Sequence, residues 1–152
     1  MMKIGSRNLK TAISVFICII VFQLLKRPYP FYACIAAVIC MQNSVHNSFV
    51  AGKNRMIGTI IGAVVGIMFS IFIGQNAIVT GLGIVLVIYL CNFFNYDGSV
   101  SIACVVFLAI MTNLKEGTSY MYAINRVFDT FVGIIVAILV NKYINFSKLD
   151  AE

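Results

Sequence analysis

Long apolar runs dominate the chain, and short polar or glycine-rich breaks divide them into six segments. The first runs from about Leu9 to Leu25 and stops at Lys26-Arg27-Pro28-Tyr29-Pro30, where two prolines end a helix and keep the connector extended. The second begins at Phe31 and runs into a polar stretch, MQNSVHNSFVAGKNR, whose first half reads as the polar end of that segment and whose second half turns at Gly52. The third covers Arg55 to about Ile73. Gly74-Gln75-Asn76 turns into the fourth, Ala77 to Phe94, and Asn95-Tyr96-Asp97-Gly98 turns into the fifth, Ser99 to Leu114. Lys115-Glu116-Gly117 closes the fifth, and the sixth runs from near Tyr122 to about Ile144.

The runs lack the period-two alternation of a membrane barrel, so they are expected as helices, each satisfying its own backbone hydrogen bonds in lipid. The predicted fold is an all-α polytopic membrane protein of six transmembrane helices, occupying residues 1–148 and followed by a short cytoplasmic tail, 149–152.

Composition sharpens this. Of 152 residues, 61% are hydrophobic and 11% charged, against a charged share of roughly 25% in soluble domains. A soluble domain of this size has no way to hide so much apolar surface. The net charge of +6 flanks the apolar runs, as basic cytoplasmic loops do, and no basic-aromatic patch points to nucleic acid. With both termini inside, the cytoplasmic side receives seven basic residues (Lys3, Arg7, Lys10, Lys53, Arg55, Lys142, Lys148) and the outer side four (Lys26, Arg27, Lys115, Arg126). This favours a multi-pass plasma-membrane protein with cytoplasmic ends. Tyr29, Tyr32, Tyr96, Tyr120 and Tyr143 fall near the expected interfaces, where an aromatic belt sits more often than a substrate cage. The first run has no A-x-A-like site after it and is expected to remain as a span.

The five cysteines lie within or beside apolar runs, form no CxxC, and have a single histidine for company. They read as small packing residues, so no metal and no cofactor is expected. No catalytic triad or paired carboxylates suggest an enzyme.

The third and sixth segments share a pattern. NRMIGTIIGAVVGI from Asn54 and NRVFDTFVGIIVAI from Asn125 match at Asn, Arg, Thr, Gly, Val and Ile with a constant offset of 71 residues. The second and fifth echo more weakly at offset 70, where Ala33, Cys34 and Met41 meet Ala103, Cys104 and Met111. Three segments per copy is an odd number, so the two copies, about 8–73 and 77–144, would run in opposite senses: a 3+3 inverted repeat, the design of many transporters. The alternative is reuse of one good packing face with a snorkelling arginine.

On that face Arg55, Thr59, Gly62 and Gly66 share one side of a helix, and Gly58, Gly62 and Gly66 form a small-residue stripe for close helix packing. Arg126, Thr130, Gly133 and Ala137 repeat it, with Asn141 beyond. An arginine inside a span is costly unless paired or wetted, and is a functional candidate by default. Arg126 either pairs along the helix with Asp129 or binds an anion; Arg55 is an anion contact or a positive-inside anchor. His46 is a proton relay or an ordinary interfacial residue.

Gln42 near the end of the second segment, followed by R-x-x-G-T-x-x-G at Arg55, Gly58, Thr59 and Gly62, resembles the signature of the aromatic acid exporter family, a branch of the fusaric acid resistance superfamily. N-R-x-x-D-T-x-x-G, Asn125 to Gly133, is similar to that family's sixth helix. The resemblance implies a six-helix domain that dimerises and moves organic anions, aromatic carboxylates among them, with plant malate channels as distant kin. Exporter and channel both stay open. Two departures stand out: many relatives carry a cytoplasmic domain after the helices, whereas this sequence ends at Asp150-Ala151-Glu152, and Asn43 stands where relatives often place proline.

The leading expectation is therefore passage of organic anions past Arg55, Arg126, Gln42, Thr59 and Thr130, because a guanidinium binds a carboxylate with two hydrogen bonds and keeps its charge. Asp129 and His46 are candidates for a proton or ion-pair role, and Gly58, Gly62, Gly66 and Gly133 for packing. The alternative is a non-transporting membrane scaffold or accessory subunit. Expected partners are membrane lipid, a second copy in a homodimer and a small organic anion.

Overall fold

The computed structural model describes residues 5–112 and 118–144. Among them it contains six α-helices and no strand: α1 (Ser6–Leu24), α2 (Phe31–Cys40), α3 (Val45–Phe72), α4 (Ala77–Phe93), α5 (Val100–Met111) and α6 (Ser119–Tyr143), with one 3₁₀ turn at Asp97–Ser99 before α5. The closing turn expected at Lys115 to Gly117, the terminal Lys3 and Lys148, and the short tail lie outside the described residues.

Three helices, α1, α3 and α6, are long and apolar enough to cross a membrane. The other three are apolar but shorter, 10 residues in α2, 17 in α4 and 12 in α5. At 1.5 Å per residue, α2 and α5 reach only about half of a roughly 30 Å hydrocarbon core. Six helices are present, but length alone does not make all six spans.

The polar stretch is organised differently from the sequence expectation. It does not extend the second helix and turn at Gly52. Instead α2 stops at Cys40, residues 41–44 form a bend, and α3 begins at Val45, ten residues before Arg55. Ser44 is the reason. Its hydroxyl accepts the backbone N–H of Asn47 at 3.1 Å, and its carbonyl accepts that of Ser48 at 3.0 Å, an N-cap that starts a helix at once. Gly52 then lies inside α3 with ordinary helical geometry, and its missing side chain makes room for Ile134: a Cβ there would lie 2.6 Å from Ile134 Cγ2.

The chain divides into two compact units that do not follow its sequence halves. One comprises Met1–Lys53 with Asp129–Glu152; the other is Asn54–Phe128. The first thus holds α1, α2, the start of α3 and most of α6. The second holds most of α3, then α4, α5 and the start of α6.

In the first unit small residues form the interior: Cys18, Ala33, Ala36, Ala37 and Cys40 are fully buried. Gly133 lets α6 lie directly on α2, where a Cβ would strike the carbonyl oxygen of Ala33 and approach Ala36 Cβ at 2.7 Å. In the second unit Gly58, Gly62 and Gly66 lay α3 along α5. A Cβ at Gly58 would come within 2.6 Å of the Ser99 carbonyl, and one at Gly62 would strike that of Ala103. Val65, Val87, Cys91, Ala103, Phe107 and Met111 form its core, with Phe69 and Phe107 edge to face at 5.7 Å. Large apolar side chains point outward instead, among them Phe16, Phe72, Ile78 and Leu82, the reverse of a water-soluble domain and suited to lipid.

Buried positions recur in register. Ser14, Cys18 and Phe22 of α1 correspond to Gly83, Val87 and Cys91 of α4, an offset of 69. Ala33, Ala36, Ala37, Cys40 and Met41 correspond to Ala103, Val106, Phe107, Ile110 and Met111, an offset of 70. Arg55, Thr59, Ala63 and Val65 correspond to Arg126, Thr130, Ile134 and Val136, an offset of 71. The ends of α1 and α4 also match. Lys26 and Asn95 both adopt positive φ, 52° and 57°, and the next N–H returns five residues, Arg27 to the Phe22 carbonyl at 2.9 Å and Tyr96 to the Cys91 carbonyl at 2.8 Å. Both are Schellman-type C-caps built without the glycine that usually takes this position.

Candidate functional site

The densest polar cluster gathers where α1 begins, α2 leads into α3, and α6 ends, all within the first unit. Asn141, 6% exposed, stands at its centre. Its Nδ2 donates to the Gln42 carbonyl and to the Ser48 hydroxyl, both at 2.9 Å, and its Oδ1 accepts from Lys10 Nζ at 3.1 Å. Ser48, fully buried, also accepts the Gln42 backbone N–H at 3.1 Å. Both amide protons of Asn141 are thereby spent, which fixes its carbonyl toward Lys10. Beside this network Arg7 Nη1 reaches Asn43 Oδ1 at 3.4 Å. The Gln42 side chain donates to the Ile39 carbonyl at 2.8 Å. A recess of about 290 Å³ opens here, lined by Gly5, Ser6, Arg7, Lys10, Gln42, Asn43 and Asn141.

The two sequence-matched arginines are both buried, Arg55 at 3% and Arg126 at 5% exposure, and both fall in the second unit. Thr59, one turn beyond Arg55, donates its hydroxyl to the Arg55 carbonyl at 2.8 Å and so serves its own helix. Thr130, its register partner in the first unit, is fully buried, and its hydroxyl has no hydrogen-bond partner among the described residues. Asp129 accepts from Arg27 Nη1 at 3.5 Å, tying α6 to the connector after α1. The sequence offers Arg126 as one local partner of this carboxylate; the structure adds the long-range Arg27. His46 is exposed in the first turn of α3.

Of the expected site residues, the structure brings Gln42 into the network of Lys10, Ser48 and Asn141. Asp129, Thr130, Gly133 and His46 share its unit, whereas Arg55, Arg126, Thr59, Gly58, Gly62 and Gly66 belong to the other. From the sequence alone Lys10 and Arg7 read as topological charges. The signal that marked their neighbourhood was Asn141, an amide inside the apolar run ILVNKY.

A family model described as aromatic acid exporter family member 1 matches residues 2–144. The chain belongs to this family. Aromatic acid exporter proteins form a membrane exporter family rather than an enzyme family, in keeping with the apolar helices and outward-facing hydrophobic surface. The chain is 30% identical over 140 residues to the UPF0421 protein YgaE of Bacillus subtilis, an alignment covering 92% of this chain and 39% of YgaE. It is 26% identical to a UPF0421 protein of Staphylococcus saprophyticus and 24% identical to one of Staphylococcus aureus strain USA300, each covering 91% of this chain and 42% of the relative. The chain thus spans about two-fifths of the length of these curated relatives. No solved structure matches it.

Proposed function

We propose that the chain is a membrane domain that passes small organic anions, built as two inverted copies of a three-helix unit with Arg55 and Arg126 as equivalent anion contacts. The observation that carries this is the pair of buried arginines in equivalent register in an exporter-family chain. A buried guanidinium in an apolar protein keeps its charge and presents a carboxylate with paired donors, so two at matched positions are the natural anion contacts.

The inverted repeat draws support from contacts as well as register. Gly133 meets the Ala33 carbonyl in one unit as Gly62 meets that of Ala103 in the other. The Asn141–Ser48 hydrogen bond of 2.9 Å has its counterpart in the Ser70–Ser119 hydroxyl pair at 2.8 Å, since an offset of 71 carries Ser48 to Ser119 and Ser70 to Asn141. In this reading α2, α4 and α5 cross the plasma membrane together with the longer helices, both termini face the cytoplasm, and a homodimer completes the pathway.

The test is uptake of a panel of radiolabelled carboxylates, benzoate and succinate included, into liposomes holding the purified chain. Flux should fall about ten-fold or more in Arg55→Ala and Arg126→Ala, each losing charge-assisted hydrogen bonds. Absence of flux from a well-folded preparation would instead support a non-transporting scaffold or accessory subunit. A monomer by mass measurement in lipid would overturn the dimer.

A further inference from the structure

The recess beside Asn141 has a chemistry of its own. Two of its lining side chains, Arg7 and Lys10, are cationic, none is acidic, and none is apolar. Topology accounts for basic residues near a membrane surface, but not for the way Lys10 is held. Asn141 spends both amide protons on Gln42 and Ser48, leaving its oxygen to fix the Lys10 ammonium at 3.1 Å. Two of the three ammonium protons remain for a ligand. Arg7 is steadied by Asn43 Oδ1 at a long 3.4 Å, which turns the Asn43 amide nitrogen away from Arg7 and leaves it as a further donor. Gly5, the N-cap of α1, contributes no side-chain cap, and the first turn of α1 carries no acidic residue. The positive end of that helix therefore adds to the two side-chain charges.

Register supplies an independent argument. In the other unit the positions equivalent to Arg7, Lys10, Gln42 and Asn141 are Asn76, Val79, Thr112 and Ser70, all neutral. A scaffold that folds with those residues does not need the two cations for packing.

We propose that the recess binds a small hydrophilic dianion, specifically a dicarboxylate, with Arg7 and Lys10 each taking one carboxylate and Asn141 acting as the positioning residue for Lys10. Its volume of about 290 Å³ sits at the small end of the roughly 300–1,000 Å³ typical of ligand pockets. Benzoate carries one carboxylate and can engage only one of the two cations, so it binds less tightly there than succinate. Binding stands on this geometry. The role of the recess as the approach to a pathway rests on the transport reading.

The test is equilibrium binding of succinate to the chain in nanodiscs of zwitterionic lipid, by isothermal calorimetry, with benzoate and inorganic phosphate as comparisons. Saturable succinate binding is expected, weakened about ten-fold or more by Arg7→Gln and by Asn43→Asp, which sets a carboxylate into the lining. Asn43 is exposed and Arg7 lies in the first turn of α1, so both variants should keep the parent's elution and melting profiles; if one does not, the other carries the test. Asn141→Leu should weaken binding only while Lys10 is present, so adding it to Lys10→Gln should cost nothing further. No saturable succinate binding overturns the proposal. So does tighter binding of phosphate or benzoate, or loss of the succinate signal when phosphatidylglycerol is added to the nanodisc, which assigns the recess to a lipid headgroup. Succinate binding without liposome flux would sink the transport reading and leave this site standing; flux without binding would do the reverse.

Discussion

Replacing Gly62 by alanine tests the packing on which both units are built. The added methyl would strike the carbonyl oxygen of Ala103 and crowd the Ala103 backbone carbon at 3.0 Å and Cα at 3.1 Å. A backbone cannot swing aside as a flexible side-chain tip can, so α3 must lift from α5, loosening the contacts of Val65 and Ala103 with Phe107 and Cys91 in the same core. Overpacking of this kind costs about 1–3 kcal/mol. For a domain of this size each kcal/mol shifts the melting temperature by about 2–4 °C. Gly133→Ala presses on the Ala33 carbonyl and Ala36 in the other unit and should cost a similar amount. Gly81→Ala is the control: nothing lies within 4 Å of its Cβ position in α4, and alanine is the better helix former. The assay is thermal melting in mild detergent, read as the loss of the monodisperse peak in fluorescence-detected size exclusion. Gly62→Ala and Gly133→Ala melting together with Gly81→Ala would refute the reasoning, because the helices would then tolerate the extra volume that the geometry forbids.

Arg27→Gln should destabilise more than the double variant Arg27→Gln/Asp129→Asn, because the single change removes a cation from a carboxylate that is 9% exposed; the half-open geometry sets the difference at about 1–2 kcal/mol, measured in the same melting assay. Ser44→Ala removes the cap of α3 and should cost about 1 kcal/mol, seen as faster amide exchange at residues 45–48 with the centre of α3 unchanged. Ser48→Ala leaves one Asn141 amide proton and the Gln42 N–H without their acceptor and should lower the melting temperature by about 2–8 °C through a cost of about 1–2 kcal/mol. Wild-type melting of Ser48→Ala would show that water replaces the hydroxyl.

Much of the helical layout was legible in the sequence because its stops are local. The prolines at 28 and 30, Gly74 with its φ of 95° and the Asn95 turn end helices within a residue or two of the expected places. The polar stretch misled because its residues no longer alternate between lipid and core, so the periodic signal fades just where Ser44 restarts the helix; Gly52 resembled a turn when its purpose was to admit Ile134. The glycine stripe was visible, but not that Gly58 and Gly62 would lie against the backbone of Ser99 and Ala103 and Gly66 against the Ile110 side chain. The Asn141 network joins residues 93, 99 and 131 positions apart, and Arg27 reaches Asp129 across 102. No spacing rule encodes contacts at such separations; they exist only once the first and last helices share a unit.

Under the proposed repeat, residues common to both copies and residues unique to one carry different information. Arg55 and Arg126 are identical at matched, buried positions, as are Thr59 with Thr130 and Gly62 with Gly133; they answer to what both copies need. The ion pair of Arg27 and Asp129 occurs once, and its register partners are Tyr96 and Gly58. Both charges lie in the first unit and both equivalent positions in the second are neutral, as expected when a buried carboxylate is kept with a cation. The Asn141 network departs in the same way. The serine-level hydrogen bond is shared, Ser48 with Asn141 and Ser70 with Ser119, but in the second unit the added partner is the neutral Gln75, whose amide donates to Ser70 at 3.2 Å. In the first unit it is Lys10. Two inverted copies of one sequence would give a pathway with no preferred direction in its structure. Cations in the first unit at positions that are neutral in the second break that equivalence, so a preference for anions arriving from one side would be written in the residues the two units do not share.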